Sequence, residues 1–297
     1  MGTAGYPPVR HLLSDLGVEA ESIAESDTVA RIRATPHVAG ADGGVRVGVL
    51  ATLVDLVGGS EAIRAARPDR MVTADLTLQM VRPAVGPFVE ARGRVVRRGR
   101  TTLVVEAGVF DVLGDGSDAV VDAGDALPAA WATMTFAIHA GQQSRRSGDE
   151  GPGLPARWSF TGAGLGGPVV DTLCLSEAGA GEVSMPVSGY LLNSFGAVQG
   201  GVMALLAEVA AIRALGGGLG HDATVVTDLQ VAYLATGRVG PIVSRTRVLG
   251  TGGEGVGTGG HRSNAVVELV DEGDGGRLTT VINVGAVSPG PPAGGPA

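Results

Sequence analysis

Two carboxylates stand where a carboxylate is costly. In VQGGVMALLAEVAAI, residues 198–212, Glu208 is the only charge in a segment that reads as a helix apolar on every side. In VRVGVLATLVDLV, residues 45–57, Asp55 is the only charge after Arg46. Such helices lie inside proteins, where an isolated carboxylate must be paired, neutralised, or used as acid, base or nucleophile. The loop entering the second helix, Asn193-Ser-Phe-Gly-Ala-Val-Gln-Gly-Gly201, offers a complementary chemistry. Gly200 and Gly201 at a helix start free backbone N–H groups to face a ligand oxygen, and the helix dipole favours negative charge developing there, which is the basis of an oxyanion hole. The same residues fit a plainer role, with the glycine pair allowing tight helix–strand packing and Asn193 serving as a cap or turn residue. Local chemistry leaves both readings open.

The elements that must position these residues occur twice. Placing Asp55 on Glu208 gives an offset of 208 − 55 = 153, and the same offset aligns TADLTLQM (Thr73 to Met80) with VTDLQVAY (Val226 to Tyr233), Asp75 falling on Asp228. One residue of slippage then pairs Gly86-Pro-Phe-Val89 with Gly240-Pro-Ile-Val243, and RTTLVVE from Arg100 corresponds to RSNAVVE from Arg262. Each half reads as a strand (near 27–34 and 181–187), a helix (46–64 and 199–215) and four long β-rich runs. These runs are predicted near 71–81, 87–98, 101–112 and 129–139, and near 223–234, 241–250, 262–271 and 277–287. Long strands joined by short Gly-containing turns predict antiparallel hairpins, and a helix apolar all round beside such a sheet predicts that the sheet wraps it. The expected fold class is α+β. The expected organisation is an N-terminal repeat over 1–140, a Gly- and Pro-rich polar linker over 141–157, a C-terminal repeat over 158–288, and a flexible tail over 289–297, with residues 114–128 a long insertion between two strands.

The loop pattern N-x-x-G-x-x-(H/Q)-G-G followed by a mid-helix Asp or Glu resembles the hotdog-fold acyl-CoA thioesterases, especially the phenylacetyl-CoA thioesterase-like group. The resemblance covers both halves, so the chain looks like a tandem, or double, hotdog. It implies an acyl-CoA thioesterase in which the Asn and the first Gly of the pair serve the thioester carbonyl, the acid activates water or attacks, and a Ser or Thr on the next strand assists.

Each half departs from that pattern differently. The first keeps the acid Asp55 and has Thr73 at the hydroxyl position, but Gly40, Arg46 and Val47 replace Asn193, Gln199 and Gly200. The second keeps the loop and has Glu208 for the acid, with Val226 where the hydroxyl belongs. At about 1.5 Å rise per residue, Gly200 and Glu208 lie roughly 12 Å apart along one helix, too far to serve one reacting centre. An antiparallel neighbouring helix removes the difficulty, and the family's dimers build their sites that way. The expectation is one composite site, with Asn193 and Gly200 facing Asp55 and Thr73, Gln199 and Gly201 binding substrate, and Glu208 left in a vestigial partner site. Arg97, Arg98 and Arg100 at a predicted hairpin turn are candidates for coenzyme A phosphates, or equally a solvated turn.

Composition narrows the field. The chain has 297 residues, 44% hydrophobic, and 22 basic against 30 acidic residues, a net charge of −8 that argues against nonspecific nucleic-acid or anionic-membrane binding. Cys174 stands alone, which excludes an intrachain disulfide and fits a reducing compartment. No signal peptide or transmembrane pattern is found, so the expected location is cytoplasmic. His11, His37, His139, His221 and His261 are scattered without metal-ligand spacing, and most read as ordinary surface or loop residues. Gly250-Thr-Gly-Gly-Glu-Gly255 matches GxGxxG but precedes no helix, so it reads as a flexible hairpin loop. The expected partners are acyl-CoA as substrate and a second copy of the chain, giving a homodimer of double hotdogs. No metal or separate cofactor is expected, coenzyme A entering with the substrate. A noncatalytic acyl-CoA-binding module and an acyl-thioester hydratase or dehydratase are the alternatives. The second is disfavoured because no His lies in either helix-entering loop.

Overall fold

A computed structural model describes residues 8, 10–24, 27–112, 128–143, 157–179, 182–216, 223–254 and 260–289. Most of the expected insertion, most of the linker, His221, Gly255 and nearly all of the tail lie outside these residues.

The first half begins with a short helix α1 (Leu12–Asp15) and strands β1 (Glu19–Ala24) and β2 (Asp27–Arg33). The long helix α2 (Val47–Ala66) follows, then β3 (Asp69–Met80), β4 (Phe88–Arg98), β5 (Thr102–Val112), β6 (Ala130–Gln143) and a three-residue β7 (Arg157–Ser159). The second half contains β8 (Ser176–Gly179), β9 (Glu182–Met185), helix α3 (Gly200–Ala214), β10 (Val225–Tyr233), β11 (Ile242–Glu254), β12 (Gly260–Asp271) and β13 (Arg277–Pro289). The expected helices and long strands are all present. Strands β1, β7 and β8 were not expected: they are short strands at the two ends of the sheet, β7 and β8 forming its edges, with little apolar alternation and paired through their backbones.

All thirteen strands form one antiparallel sheet in the order β7-β1-β2-β4-β5-β6-β3-β10-β13-β12-β11-β9-β8. The halves join where β3 pairs with β10. In that register Thr77 lies opposite Gln230, positions that also correspond in the repeat, so a pseudo-twofold axis passes between them. Asp75 accordingly pairs with Ala232 as Asp228 pairs with Gln79. Residues 157–159 add β7 to the outer edge of β1, tying the end of the linker and the start of the expected C-terminal repeat to the first half. Gly250 to Glu254 belong to β11, whose pairing with β12 extends to Glu254–His261, instead of forming a loose hairpin loop.

The two helices meet beneath the sheet and run antiparallel. A β-carbon on Gly48 would stand 2.4 Å from the Leu205 α-carbon, and one on Gly201 would stand 2.3 Å from the Thr52 α-carbon. These two contacts are equivalent under the repeat. Only glycine permits so close an approach of two backbones. Around this seam Leu50, Leu53, Val54 and Val57 of α2, and Val202, Leu206 and Ala210 of α3, are fully buried in one continuous core. This architecture is a double hotdog.

Candidate active site

The helix seam answers part of what the two carboxylates do. The first N–H groups of a helix have no partner within it, and the N-cap residues Arg46 and Gln199 supply no side-chain cap. Each helix instead takes its cap from the middle of the other. The N–H of Gly48 in α2 donates to Glu208 Oε2 at 2.8 Å, and the N–H of Gly201 in α3 hydrogen-bonds the Asp55 carboxylate. Both acids therefore lie at the positive end of the opposing helix dipole.

From that shared arrangement the two sites diverge. At Asp55 a cavity of about 600 Å³ opens, bordered by Thr73, Asn193, Gln199, Gly200 and Tyr233 as well as Asp55 itself. Thr73 Oγ1 is a long 3.4 Å from Asp55 Oδ1. Thr73 stands at a register shift in β3, between Thr73 and Asp75, with its hydroxyl facing Asp55 of α2. Gly200 leaves the reacting space free: a β-carbon there would come within 2.9 Å of both Asp55 Oδ2 and the Tyr233 hydroxyl oxygen. Burial pushes the Asp55 carboxyl up to about 6, only partly offset by the bonds from Thr73 and Gly201. The cavity walls are otherwise largely apolar, with Leu56, Ile63, Met71, Phe160 and Met203 among them.

At Glu208 the corresponding space holds about 20 Å³. Its lining reproduces the first site position by position, with Gly40 for Asn193, Arg46 for Gln199, Val47 for Gly200, Val226 for Thr73 and Met80 for Tyr233. Arg46 Nη1 reaches Glu208 Oε1 at 3.0 Å in a buried ion pair, and the Val47 side chain fills what glycine leaves open. Burial raises the Glu208 carboxyl, opposed by Arg46 and by the Gly48 N–H.

The loop residues behave unequally. Asn193 Oδ1 accepts from the N–H groups of Phe195 and Ala197, at 2.9 and 3.2 Å, around Gly196 with φ +69°. That oxygen is committed to shaping the loop, which is the turn role the sequence left open. Gln199 is buried, its Nε2 3.3 Å from His11 Nε2. His11 corrects part of the sequence reading: it lies outside the helices and strands, just before α1, but is fully buried and not at the surface. Its Nδ1 accepts from the Leu13 N–H at 3.2 Å, so the proton sits on Nε2, 2.8 Å from the Leu192 carbonyl oxygen. Burial lowers its pKa and keeps it neutral. A residue 188 positions from Gln199 in the chain gives no local signal of this contact.

Arg97, Arg98 and Arg100 are exposed at the β4–β5 hairpin and do not border the cavity; Arg70 and Arg238 do. Tyr233 also escaped sequence reasoning, because the repeat aligns it with an unremarked methionine, Met80. Among the described residues no cluster of three or more His, Cys, Asp or Glu could hold a metal ion, and no helix is long and apolar enough to cross a membrane.

The thioesterase superfamily model matches residues 45–115 and 195–274, about half of the chain and one segment in each repeat. Among solved structures, the chain is similar to the tesB protein of Mycobacterium avium subspecies paratuberculosis, with TM-score 0.58 and 14% identity over 94% of this chain and 98% of that one. It is also similar to a conserved protein of unknown function with a hot dog fold from Alicyclobacillus acidocaldarius (TM-score 0.54, 12% identity, 94% and 98% covered). An acyl-ACP thioesterase of Bacteroides thetaiotaomicron gives TM-score 0.51 at 13% identity, with 89% and 100% covered. At these identities the likeness is one of fold, and it spans both repeats. No curated protein shows significant sequence similarity to the chain.

Proposed function

The chain belongs to the thioesterase superfamily, and from that premise we propose that it hydrolyses an acyl-CoA thioester to a carboxylic acid and coenzyme A at a single composite site between its two repeats. The observation that carries this reading is the shared border of one 600 Å³ cavity: Asp55 and Thr73 come from the first repeat, Gln199 and Gly200 from the second. The reciprocal position is filled by Arg46, Val47 and Met80.

In this reading the thioester carbonyl lies against the N-terminus of α3, where the Gly200 N–H has no carbonyl four residues back to bond within the helix. The dipole and this N–H stabilise the oxyanion that forms. Asp55 acts as general base: its raised pKa gives a carboxylate that takes a proton from water more readily than a solvated one. Thr73 and the Gly201 N–H orient the carboxylate, Asn193 shapes the loop, and Gln199 borders the substrate. The apolar walls receive the acyl chain. Arg70 and Arg238 at the cavity supply positive charge for the phosphate-bearing carrier, with Arg97, Arg98 and Arg100 as an outlying surface for the same group. Among the described residues bordering the cavity there is no histidine, which disfavours a hydratase built on a paired Asp and His. Association of two chains belongs to the same proposal, and light scattering measures it.

The test is release of free thiol from short, long and aromatic acyl-CoA substrates by the purified protein and by Asp55→Asn. Turnover lost in the variant supports the reading. Tight acyl-CoA binding with no thiol release by the wild-type protein across the panel overturns it in favour of a binding module.

A further inference from the structure

Tyr233 ends β10 with its hydroxyl buried beside Asp55, and that oxygen has no hydrogen-bond partner among the described residues. A buried hydroxyl without a protein partner takes its hydrogen bond from whatever occupies the space it faces, water or ligand. The surroundings define that ligand. Tyr233 borders the cavity, and its oxygen and Asp55 Oδ2 converge on the same point above Gly200, each 2.9 Å from where a β-carbon would stand. Asp55 already accepts from Thr73 and Gly201. No bond joins Tyr233 to that carboxylate, so its hydroxyl hydrogen is free for an acceptor in the cavity. A thioester brings one strong acceptor to this point, its carbonyl oxygen; its sulfur is a weak one.

We propose that Tyr233 is a further catalytic residue of the thioesterase site, donating its hydroxyl hydrogen to the thioester carbonyl oxygen as that oxygen becomes an anion. This rests on the hydrolytic reading above. Water adds to the carbonyl carbon and gives a proton to Asp55, while the carbonyl π pair moves to oxygen, held by the Gly200 N–H and the Tyr233 O–H. The intermediate collapses, the carbon–sulfur bond breaks with its pair going to sulfur, and the proton on Asp55 passes to the leaving thiolate. Tyr233 keeps its proton throughout. Burial and the neighbouring Asp55 charge push its pKa well above the ordinary phenol value, which suits a permanent donor. The filled site lacks this group: Met80 occupies the position and cannot donate.

Tyr233→Phe tests the assignment, with Asp55→Asn as the parallel variant in the same acyl-CoA thiol-release assay. Loss of one oxyanion donor predicts a fall in kcat of about 100-fold, with KM within threefold of wild type. The thermal midpoint should be unchanged or higher, since an unpartnered buried hydroxyl is removed. A trifluoromethyl-ketone analogue of acyl-CoA, whose hydrate resembles the tetrahedral intermediate, should lose affinity in parallel while free coenzyme A does not. Retention of kcat within twofold by Tyr233→Phe, with Asp55→Asn inactive, overturns the role of Tyr233 and leaves the hydrolytic reading intact. A lowered thermal midpoint with coenzyme A affinity lost as well identifies a packing residue and also overturns it. If wild-type protein releases no thiol, the hydrolytic reading itself fails.

Discussion

Arg46 Nη1 stands 3.0 Å from Glu208 Oε1, and this buried pair occupies the place that Gln199 and Asp55 hold beside an open cavity in the other half of the molecule. Two helices that cap each other symmetrically thus end in unequal chemistry: one acid is paired with a buried cation and the other faces an open cavity.

Asp55→Asn should abolish most turnover and raise stability. The folded carboxyl titrates at about 6 against an ordinary value of 3.8, so this group favours folding fully below the unfolded pKa and loses that contribution as pH rises through about 6. The difference amounts to roughly 3 kcal/mol. Thermal melts should show the variant several degrees above wild type at pH 8, with the gap closing toward pH 4.

The pH dependence of kcat/KM should carry an acid limb near 6, rate falling as Asp55 takes up its proton. Thr73→Val removes a hydrogen bond that favours the ionised form and should move the limb upward. A limb that stays fixed would detach Asp55 from the rate.

Glu208→Gln should leave the chemistry of the open site in place while destabilising the protein, since the buried Arg46 charge loses the Glu208 carboxylate from its ion pair, a change costing up to roughly 3–5 kcal/mol. Pairing it with Arg46→Met should recover most of the melting temperature. Loss of kcat in the well-folded double variant would show that the filled site contributes to turnover.

The adjacent glycines should respond differently to a single methyl group. Gly200→Ala places a β-carbon 2.9 Å from Asp55 Oδ2 and from the Tyr233 hydroxyl, movable side-chain atoms, so activity should fall with modest loss of stability. Gly201→Ala meets the Thr52 α-carbon at 2.3 Å, where only separation of the helices relieves the clash. Expression and melting of the purified variants distinguish the two outcomes.

Asn193→Ala removes the acceptor for two backbone N–H groups of its loop. The fall in kcat/KM should follow from a displaced Gln199–Gly200 segment, and combined with Asp55→Asn the loss should be smaller than additive if both act on one reacting centre.

The sequence by itself determined the repeat, the helices, the long strands and the candidate acids, because hydrophobic period and an internal offset are local properties of the chain. The offset, together with the antiparallel helix pair that the family resemblance implied, placed Asp55 opposite the Asn193–Gly201 loop. Only the tertiary structure decided what stands beside each acid. That Arg46 neutralises Glu208, that Gly201 and Gly48 cap the opposing helices onto Asp55 and Glu208, that buried His11 abuts Gln199, and that the Tyr233 hydroxyl faces Asp55 all depend on residues distant in sequence. The short strands β1, β7 and β8 at the ends of the sheet were hidden for a related reason: their pairing rests on backbone hydrogen bonds, which any side chains can accompany. Periodicity reports which face of an element is buried, whereas the partner a buried polar group finds is fixed only when separate elements are brought into register.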